Sequence, residues 1–217
     1  RELPLRPPGS PVLSFRGETI LSGDDPRLAA VVELDVGDAD LQQCADTVIR
    51  LHAEWSYAAQ RSPIVYRAGD GTPFDFERYL GGERVQQRGA RLERTRAARP
   101  VARSHEALKR FLTGVFSWVN TGALARYSRA VPIGEVQPGD FFVMSGSPFG
   151  HAVLVLDVAR APDGEVRLLL GQGYMPAQSL HVLRDATGSP WFSLDRQQSQ
   201  LDTPFWRPFP FDTLRRL

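Results

Sequence analysis

The chain of 217 residues contains one cysteine, Cys44, and this thiol lies where a helix is expected to begin. Apolar residues recur around it at helical spacing: Leu41, Cys44, Val48, Leu51 and Trp55. At a helix start, unpaired backbone N–H groups and the helix dipole favour a thiolate, the reactive form of cysteine. We therefore take Cys44 as a candidate nucleophile, with a buried small apolar residue as the alternative interpretation.

The predicted helix runs from Asp40 to about Gln60. Asp40 is suited to cap its start, because a carboxylate accepts from free backbone N–H groups, and Gln43 three residues later fits a capping box. Ser62-Pro63 ends the helix, since a proline disfavours helical geometry in the residue before it. The pattern places Cys44 in the first turn, on the face that turns towards the core.

A histidine opens a predicted strand far downstream of the cysteine. The turn Pro138-Gly139 precedes an apolar run over residues 141–144, and a second apolar run covers residues 152–156. Two such runs joined by a Ser/Gly/Pro loop predict a β-hairpin in a sheet that is covered on both faces. His151 stands at the start of the second strand, where its ring is able to face an open end of the sheet.

A third apolar run, residues 166–170, is followed by Gln172, which lies between Gly171 and Gly173. The pattern places this amide on a strand next to the histidine strand. The two glycines either permit close backbone packing or leave space for a ligand, and both explanations stay open at this point. A cysteine at a helix start, a histidine on a strand and a polar residue on the next strand are the three parts of a thiol nucleophile site.

Other kinds of site find little support in the sequence. Four scattered histidines and one cysteine show no metal-ligand spacing, so neither a metal nor another cofactor is expected. A phosphate loop and the serine elbow motif are both missing. The formal net charge of +1 gives no reason to expect a nucleic-acid partner. His52, His105 and His181 are predicted to be structural.

The remaining segments indicate an α+β protein. Ser104 starts a second amphipathic helix that is expected to end at Asn120, whereas the Arg/Gln-rich residues 83–103 are expected to be solvated and partly helical. Residues 204–211, rich in proline and aromatic residues, are expected to cross the body as an irregular strap. Helices followed by antiparallel strands predict helices packed against one face of a sheet.

The start of the chain bears on its organisation and location. Residues 1–12 are interpreted as an extended arm or a tether left after removal of a leader, followed by one domain over residues 13–217 with a helical insertion around 67–130. No run is long and apolar enough to span a bilayer. A periplasmic or cell-envelope location is expected, with the cytoplasm as the alternative, since a lone cysteine forms no internal disulfide.

Two motifs resemble those of known enzymes. Gln137-Pro138-Gly139-Asp140 before one strand and Gly150-His151-Ala152-Val153 at the next look like the signature of the NlpC/P60 and CHAP branches of the papain-like cysteine hydrolases. The order Cys44, His151, Gln172 matches the order of nucleophile, base and orienting residue in those families. The resemblance implies a papain-like α+β fold, with the cysteine helix and further helices packed on an antiparallel sheet.

A second resemblance spans nearly the whole chain. Together with the two motifs above, Gln43-Cys44-Ala45-Asp46 and Met175-Pro176-Ala177-Gln178 are similar to a bacterial family known as a domain of unknown function. This second resemblance implies nothing about the substrate.

These features together predict a thiol-dependent acyl-transfer hydrolase, an amidase or peptidase with Cys44, His151 and Gln172 as catalytic residues. The resemblance to NlpC/P60 and CHAP enzymes implies a peptide or amide substrate, including cell-wall peptides derived from peptidoglycan. The alternative is a catalytically inactive papain-like scaffold that binds a peptide, glycan or protein. An accessory domain that assembles through its aromatic tail is a third interpretation.

Further residues are candidates for contact with the substrate. The backbone N–H at the cysteine supplies one oxyanion donor, and Gln42 and Gln43 are the candidates for the second. Tyr174 and Gln178 follow the third strand and are candidates for substrate binding or for the oxyanion site.

Overall fold

A computed structural model describes residues 3–96, 98–162, 164–195 and 197–217, which form an α+β fold. The described helices are α1 (Cys44–Ala58), α2 (Phe76–Leu80), α3 (His105–Phe116) and α4 (Thr121–Tyr127). Two short 3-10 turns are also present, at Ile133–Glu135 and Phe211–Thr213.

Short strands make up most of the other regular structure. The first described strands are β1 (Val12–Leu13), β2 (Thr19–Leu21), β3 (Leu28–Val31), β4 (Val65–Arg67), β5 (Pro73–Asp75), β6 (Glu83–Arg88) and β7 (Arg91–Arg96). They are followed by β8 (Arg129–Ala130), β9 (Phe141–Met144), β10 (His151–Arg160), β11 (Val166–Gln172), β12 (His181–Leu183), β13 (Trp191–Leu194), β14 (Gln200–Thr203), β15 (Trp206–Pro210) and β16 (Leu214–Arg216).

Eight of these strands form the main sheet, in the order β3-β12-β11-β10-β9-β16-β8, with β13 paired to β11. Every pairing within it is antiparallel. β11 therefore lies between β10, which starts at His151, and β12, which starts at His181. The predicted adjacency of the histidine strand and the Gln172 strand is confirmed.

The main sheet separates two apolar cores. Ala152 and Leu154 of β10 pack with residues of α1 and α3 in what we call the helical core. Val153 and Val155 pack on the other face with Phe209 of β15, in the C-terminal core. The alternation arises because successive side chains of a strand point to opposite faces. The prediction of a sheet covered on both faces is confirmed.

Helix α1 begins at Cys44, four residues later than predicted. Gln43 is its N-cap residue, and the Gln43 backbone N–H donates to the Asp46 carboxylate over 3.1 Å. Asp40 does not cap the helix, because its carboxylate accepts the backbone N–H of Ala177 over 2.7 Å. Asp40 thus ties the approach to α1 to the segment that follows β11.

The Arg/Gln-rich segment is not helical where it is described. Residues 83–96 form the antiparallel hairpin β6–β7, in which Val85 and Leu92 lie against the helical core. These two apolar side chains attach the hairpin to the core, while its turn residues are exposed. Residues 1 and 2 of the predicted arm, and residue 97 of the Arg/Gln-rich segment, lie outside the described residues.

The second predicted helix is present but shorter. Ser104 caps α3 by accepting the Ala107 N–H over 3.1 Å, as the sequence indicates. Asn120 does not end this helix; its side chain accepts the Ala123 N–H over 3.0 Å and caps α4 instead. The apolar stripe therefore continues across two helices with a break between them.

The C-terminal segment is a hairpin and a strand, so the prediction of an irregular strap is wrong. β14 pairs with β15, and β16 pairs with β9 in the main sheet. Pro208 and Pro210 are tolerated because a two-stranded hairpin leaves one side of each strand without a partner. Leu201 and Phe209 of the hairpin are buried in the C-terminal core.

None of the described helices is long and apolar enough to cross a membrane. The division into an arm and one domain with an insertion stays a prediction. Leu108 and Phe111 of α3, which belong to residues 67–130, are buried in the helical core. This part of the chain thus shares its core with α1 and the main sheet.

Candidate functional site

Cys44 is the first residue of α1 and is 5 % exposed. The backbone N–H of Ala152, the strand residue that directly follows His151, faces its sulfur. The start of the helix therefore lies against the start of β10. The predicted position of Cys44, in the first helical turn and turned inward, is confirmed.

The Cys44 thiol is protonated in the ligand-free protein. Burial raises its pKa to about 11, and the charge of Asp46 adds to the rise, whereas the Ala152 N–H acts in the opposite direction. Loss of water around the sulfur therefore outweighs the helix start, and the expectation of a resting thiolate is wrong. Asp46 is also buried, and burial raises its pKa to about 8.

A cleft of about 410 Å³ opens beside Cys44. Asp46 lines it from α1, Trp118 from the connection between α3 and α4, and Phe149 from the loop between β9 and β10. Phe149 is 60 % exposed and offers its ring at the rim. The volume is in the range of small-ligand sites, so a short peptide segment or a small acyl donor fits beside the thiol.

His151 lies fully buried among aromatic rings of the C-terminal side. Its ring centroid is 4.8 Å from that of Tyr174, 5.1 Å from Trp206 and 6.1 Å from Phe209. Burial lowers the pKa of His151 to about 4, although the hydrogen bond to Gln172 partly offsets this. The resting site therefore combines a neutral thiol with a neutral imidazole.

A chain of buried polar side chains runs from His151 across the sheet, and we call it the histidine row. Nε2 of His151 lies 2.7 Å from Oε1 of Gln172, and Nε2 of Gln172 lies 3.4 Å from Nε2 of His181. Nδ1 of His181 is 3.0 Å from the carbonyl oxygen of Ser179. The structure thus brings His151 and Gln172 together, in the pairing that the sequence predicted.

Nδ1 of His151 is buried and has no hydrogen-bond partner among the described residues. No hydrogen bond therefore joins it to the sulfur of Cys44 in this state. Alternation along β10 explains this, since Ala152 faces α1 while His151 faces the rings of the C-terminal side. The Cys44 sulfur faces Ala152, and the imidazole belongs to the preceding residue of β10.

The end of β11 passes close to the start of α1. A side chain at Gly173 would collide with Thr47 and with the carbonyl oxygen of Gln43. A side chain at Gly171 would press on the carbonyl oxygen of His181. Of the two explanations for these glycines, close packing is the one that the structure supports.

The two candidate oxyanion donors differ. Gln42 is buried, and its amide is committed, accepting from Arg50 over 2.9 Å and donating to the carbonyl oxygen of Asp35 over 3.4 Å. Gln43 lines the cleft and donates to Asp40 over 3.0 Å. Gln43 is thus the better placed of the two to reach a bound substrate.

Tyr174 and Gln178 lie away from the lining of the cleft. Tyr174 packs against His151 and donates its hydroxyl hydrogen to the carbonyl oxygen of Phe205 over 3.3 Å. Gln178 is buried, and its side-chain oxygen has no partner among the described residues. Among the described residues, no three histidine, cysteine or carboxylate side chains lie close enough together to hold a metal ion.

Sequence reasoning missed two buried polar residues, Asp46 beside the thiol and His181 at the far end of the histidine row. His181 was assigned a structural role, because its position opposite Gln172 depends on the register of two strands. Helical spacing suggests an i,i+4 pair of Asp46 with Arg50 on the solvated face of α1, but Asp46 is buried and Arg50 pairs with Glu54. Local periodicity contains no information on the strand register that places His181, whereas an acidic residue in a first helical turn is a common capping signal.

Comparison with known proteins identifies the family of this chain. Searches of the curated proteins and of the solved structures gave no match. A family model described as a domain of unknown function, DUF4846, matches residues 1–216. The predicted similarity to a domain of unknown function is confirmed, while that to NlpC/P60 and CHAP enzymes stays a prediction. Since the match covers all but the last residue, the chain belongs to the DUF4846 family.

Proposed function

We propose that the protein is a thiol-dependent acyl-transfer hydrolase, an amidase or peptidase of papain-like fold, with Cys44 as nucleophile and His151 as base. The observation that carries the proposal is the state of His151. One nitrogen of this buried ring is held by Gln172, and the other has no partner among the described residues. Buried ring nitrogens are normally hydrogen-bonded, so the unpaired Nδ1 of His151 needs an explanation. His151 directly precedes Ala152, whose N–H faces the Cys44 sulfur.

The proposed reaction starts from the neutral pair. Nδ1 of His151 takes the thiol proton while the sulfur of Cys44 attacks the carbonyl carbon and forms a sulfur–carbon bond. The carbonyl oxygen takes up the negative charge, which the backbone N–H groups at the start of α1 stabilise. The carbon–nitrogen bond then breaks, and the imidazolium protonates the leaving amine.

Water completes the proposed cycle by hydrolysing the thioester. His151 removes a proton from the water as it attacks, and the carbon–sulfur bond breaks. The proton returns to the sulfur, and the carboxylic acid is released. Proton-transfer contacts are often long in ligand-free enzymes and shorten with substrate bound, so we place the closing of the sulfur–imidazole gap at substrate binding.

The proposed substrate class is a peptide or amide. The cleft beside Cys44 combines an exposed aromatic ring, Phe149, with polar groups at the starts of α1 and α4, as a peptide requires. The resemblance to NlpC/P60 and CHAP enzymes extends this to peptides derived from peptidoglycan. A periplasmic or cell-envelope location follows from that substrate and is part of the same proposal.

An inactive papain-like scaffold is the second candidate, and two observations favour it. The pKa of Cys44 is raised to about 11 by burial, and no hydrogen bond joins its sulfur to His151. Under this alternative the cleft binds a peptide, glycan or protein partner, and the thiol contributes only packing.

Acyl transfer to Cys44 separates the two candidates. The protein is treated with p-nitrophenyl acetate, and p-nitrophenol release and intact mass are measured for wild type, Cys44→Ala and Cys44→Ser. We expect one added acetyl group and rapid release for wild type, and neither for Cys44→Ala, which keeps the volume of the buried site nearly unchanged. Equal release by wild type and Cys44→Ala would falsify the thiol mechanism and favour the binding scaffold.

A further inference from the structure

His181 stands at the far end of the histidine row and is absent from the lining of the cleft. It is fully buried on β12, directly opposite Gln172 in the antiparallel register with β11. Three neighbouring strands, β10, β11 and β12, thus each contribute one polar side chain to the row. Because a buried histidine takes its tautomer from its partners, the whole row has a defined placement of protons.

The contact between His181 and the carbonyl oxygen of Ser179 fixes the positions of the protons along the row. The carbonyl oxygen of Ser179 only accepts, so Nδ1 of His181 carries its hydrogen and Nε2 presents a lone pair. This lone pair accepts from the side-chain N–H of Gln172 and turns the amide oxygen towards His151. The oxygen accepts in turn from Nε2 of His151, so the free lone pair of His151 lies on Nδ1.

We propose that His181 is a positioning residue that, by accepting from the Gln172 amide, holds His151 in the tautomer whose Nδ1 is free to act as a base. Its importance for catalysis rests on the proposed function. The tautomer itself is a property of the folded protein and is measurable whether or not Cys44 reacts.

The row explains why the acceptor on His181 matters. The oxygen and nitrogen ends of an amide have nearly the same shape, so packing alone does not choose between the two orientations of Gln172. If the amide turned over, its N–H would face Nε2 of His151, which would have to accept. The proton of His151 would then move to Nδ1, and the base would be lost.

Both rings are in the neutral state that this argument requires. Burial lowers the pKa of His151 and that of His181 to about 4, so at neutral pH each ring carries a single N–H. The contact of 2.7 Å between His151 and Gln172 is short, as expected for a single well-defined orientation.

Nuclear magnetic resonance of protein labelled with nitrogen-15 in its histidine side chains tests the proposal at neutral pH. Long-range proton–nitrogen correlations show which ring nitrogen is unprotonated. The variant His181→Leu removes the acceptor, whereas His181→Gln supplies another through its side-chain oxygen. His52→Leu is the control, since it removes a different, half-buried histidine, one whose Nδ1 lies 2.9 Å from the Tyr66 hydroxyl.

In wild type and in His52→Leu, we expect the unprotonated nitrogen of His151 to be Nδ1. In His181→Leu, we expect that signal to move to Nε2, and in His181→Gln to return to Nδ1. An unprotonated Nε2 in wild type, or an unchanged Nδ1 in His181→Leu, overturns the proposal. If His181→Leu does not fold, His181→Gln decides, because a protonated Nδ1 there contradicts the proposal and an unprotonated one supports it.

The same samples distinguish this proposal from the proposed function. Wild type that shows the expected tautomers but no acylation of Cys44 refutes the hydrolase and leaves the role of His181 in place. Wild type that acylates Cys44 with His151 in the other tautomer refutes the role of His181 and leaves the hydrolase in place.

Discussion

Two buried polar clusters lie on neighbouring strands of the main sheet, and they differ in how completely they are hydrogen-bonded. In the first, both carboxylate oxygens of Asp140 accept from Arg216, at 2.5 and 2.7 Å, and one also accepts the Gln137 N–H at 2.9 Å. In the second, the histidine row, Nδ1 of His151 has no partner among the described residues.

We infer from this difference that the Asp140 cluster stabilises the fold, whereas the histidine row has another role. Asp140 is fully buried, and its cluster joins the turn before β9 to β16, so it serves the fold. A buried atom without a partner costs roughly 1–3 kcal/mol, and proteins keep such costs mainly at functional sites. On this ground we assign the complete cluster to stability, and we propose that the incomplete row takes part in chemistry.

Breaking the complete cluster has the largest expected effect. Arg216→Met leaves the buried carboxylate of Asp140 without its partner, which typically costs about 3–5 kcal/mol. We expect the free energy of unfolding, measured with urea, to fall by that amount, because the protein interior solvates an unpaired carboxylate poorly.

The neighbouring residue supplies the control for this change. Arg215 donates to the backbone carbonyl oxygens of Asp212 and Leu214, so Arg215→Met leaves no buried charge behind. We expect its unfolding free energy to stay within about 0.5 kcal/mol of wild type. Equal losses in the two variants contradict the structural role assigned to Asp140.

Breaking the incomplete row is expected to act on reactivity more than on stability. His151→Phe keeps an aromatic ring beside Tyr174 and Trp206 but removes both nitrogens. Since a general base contributes about 10²- to 10⁴-fold, acylation of Cys44 by p-nitrophenyl acetate is expected to fall by at least about 100-fold. A folded His151→Phe protein that is acylated at the wild-type rate contradicts the role of the base.

The histidines whose pKa values are lowered also predict how stability depends on pH. The pKa values of His52, His151 and His181 are lowered from 6.5 to about 4 by burial, so below pH 6.5 the unfolded chain binds protons that the folded protein refuses. Asp46 acts in the opposite sense, since its pKa is raised to about 8. Stability is therefore expected to be present above pH 6.5 and to be lost as pH falls towards 4.

The difference in bound protons sets how steeply the free energy of unfolding changes with pH. Three protons taken up by the unfolded chain and one by folded Asp46 leave a net difference of two, at roughly 1.4 kcal/mol per proton and pH unit. Urea unfolding at several pH values measures the slope, and His151→Phe is expected to reduce it by one proton. A slope that His151→Phe leaves unchanged contradicts the buried neutral imidazole.

The smallest expected effect concerns the rim of the cleft. Phe149 is 60 % exposed, so Phe149→Ala is expected to change the unfolding free energy by less than about 0.5 kcal/mol. If the cleft holds the acyl donor, the same change raises the ester concentration needed for half-maximal acylation. Acylation kinetics with p-nitrophenyl acetate provide the measurement, and unaltered kinetics place the ester elsewhere.

Local sequence patterns were sufficient to predict where the three proposed catalytic residues lie on their helix and strands. Helical spacing placed Cys44 in a first turn, and two apolar runs placed His151 and Gln172 on adjacent strands. These features depend on neighbours within a few residues, which a periodic pattern records.

Properties set by distant contacts were beyond such patterns. The role of His181 depends on its register with β11, and Arg216 meets Asp140 across 76 positions of the chain. The charge state of Cys44 was misjudged because the helix start is a local feature, whereas burial of the sulfur is set by the packing of α1 on β10.

The pH dependence of Cys44 alkylation by iodoacetamide tests the central claim most directly, in wild type and in His151→Phe. With His151 as base, the wild-type rate is expected to be nearly independent of pH below the usual thiol pKa of about 8.5, because Nδ1 accepts the proton during attack. His151→Phe is expected to lose this reaction. A wild-type rate that rises about tenfold per pH unit, and that His151→Phe does not alter, would show a solitary buried thiol and contradict the account.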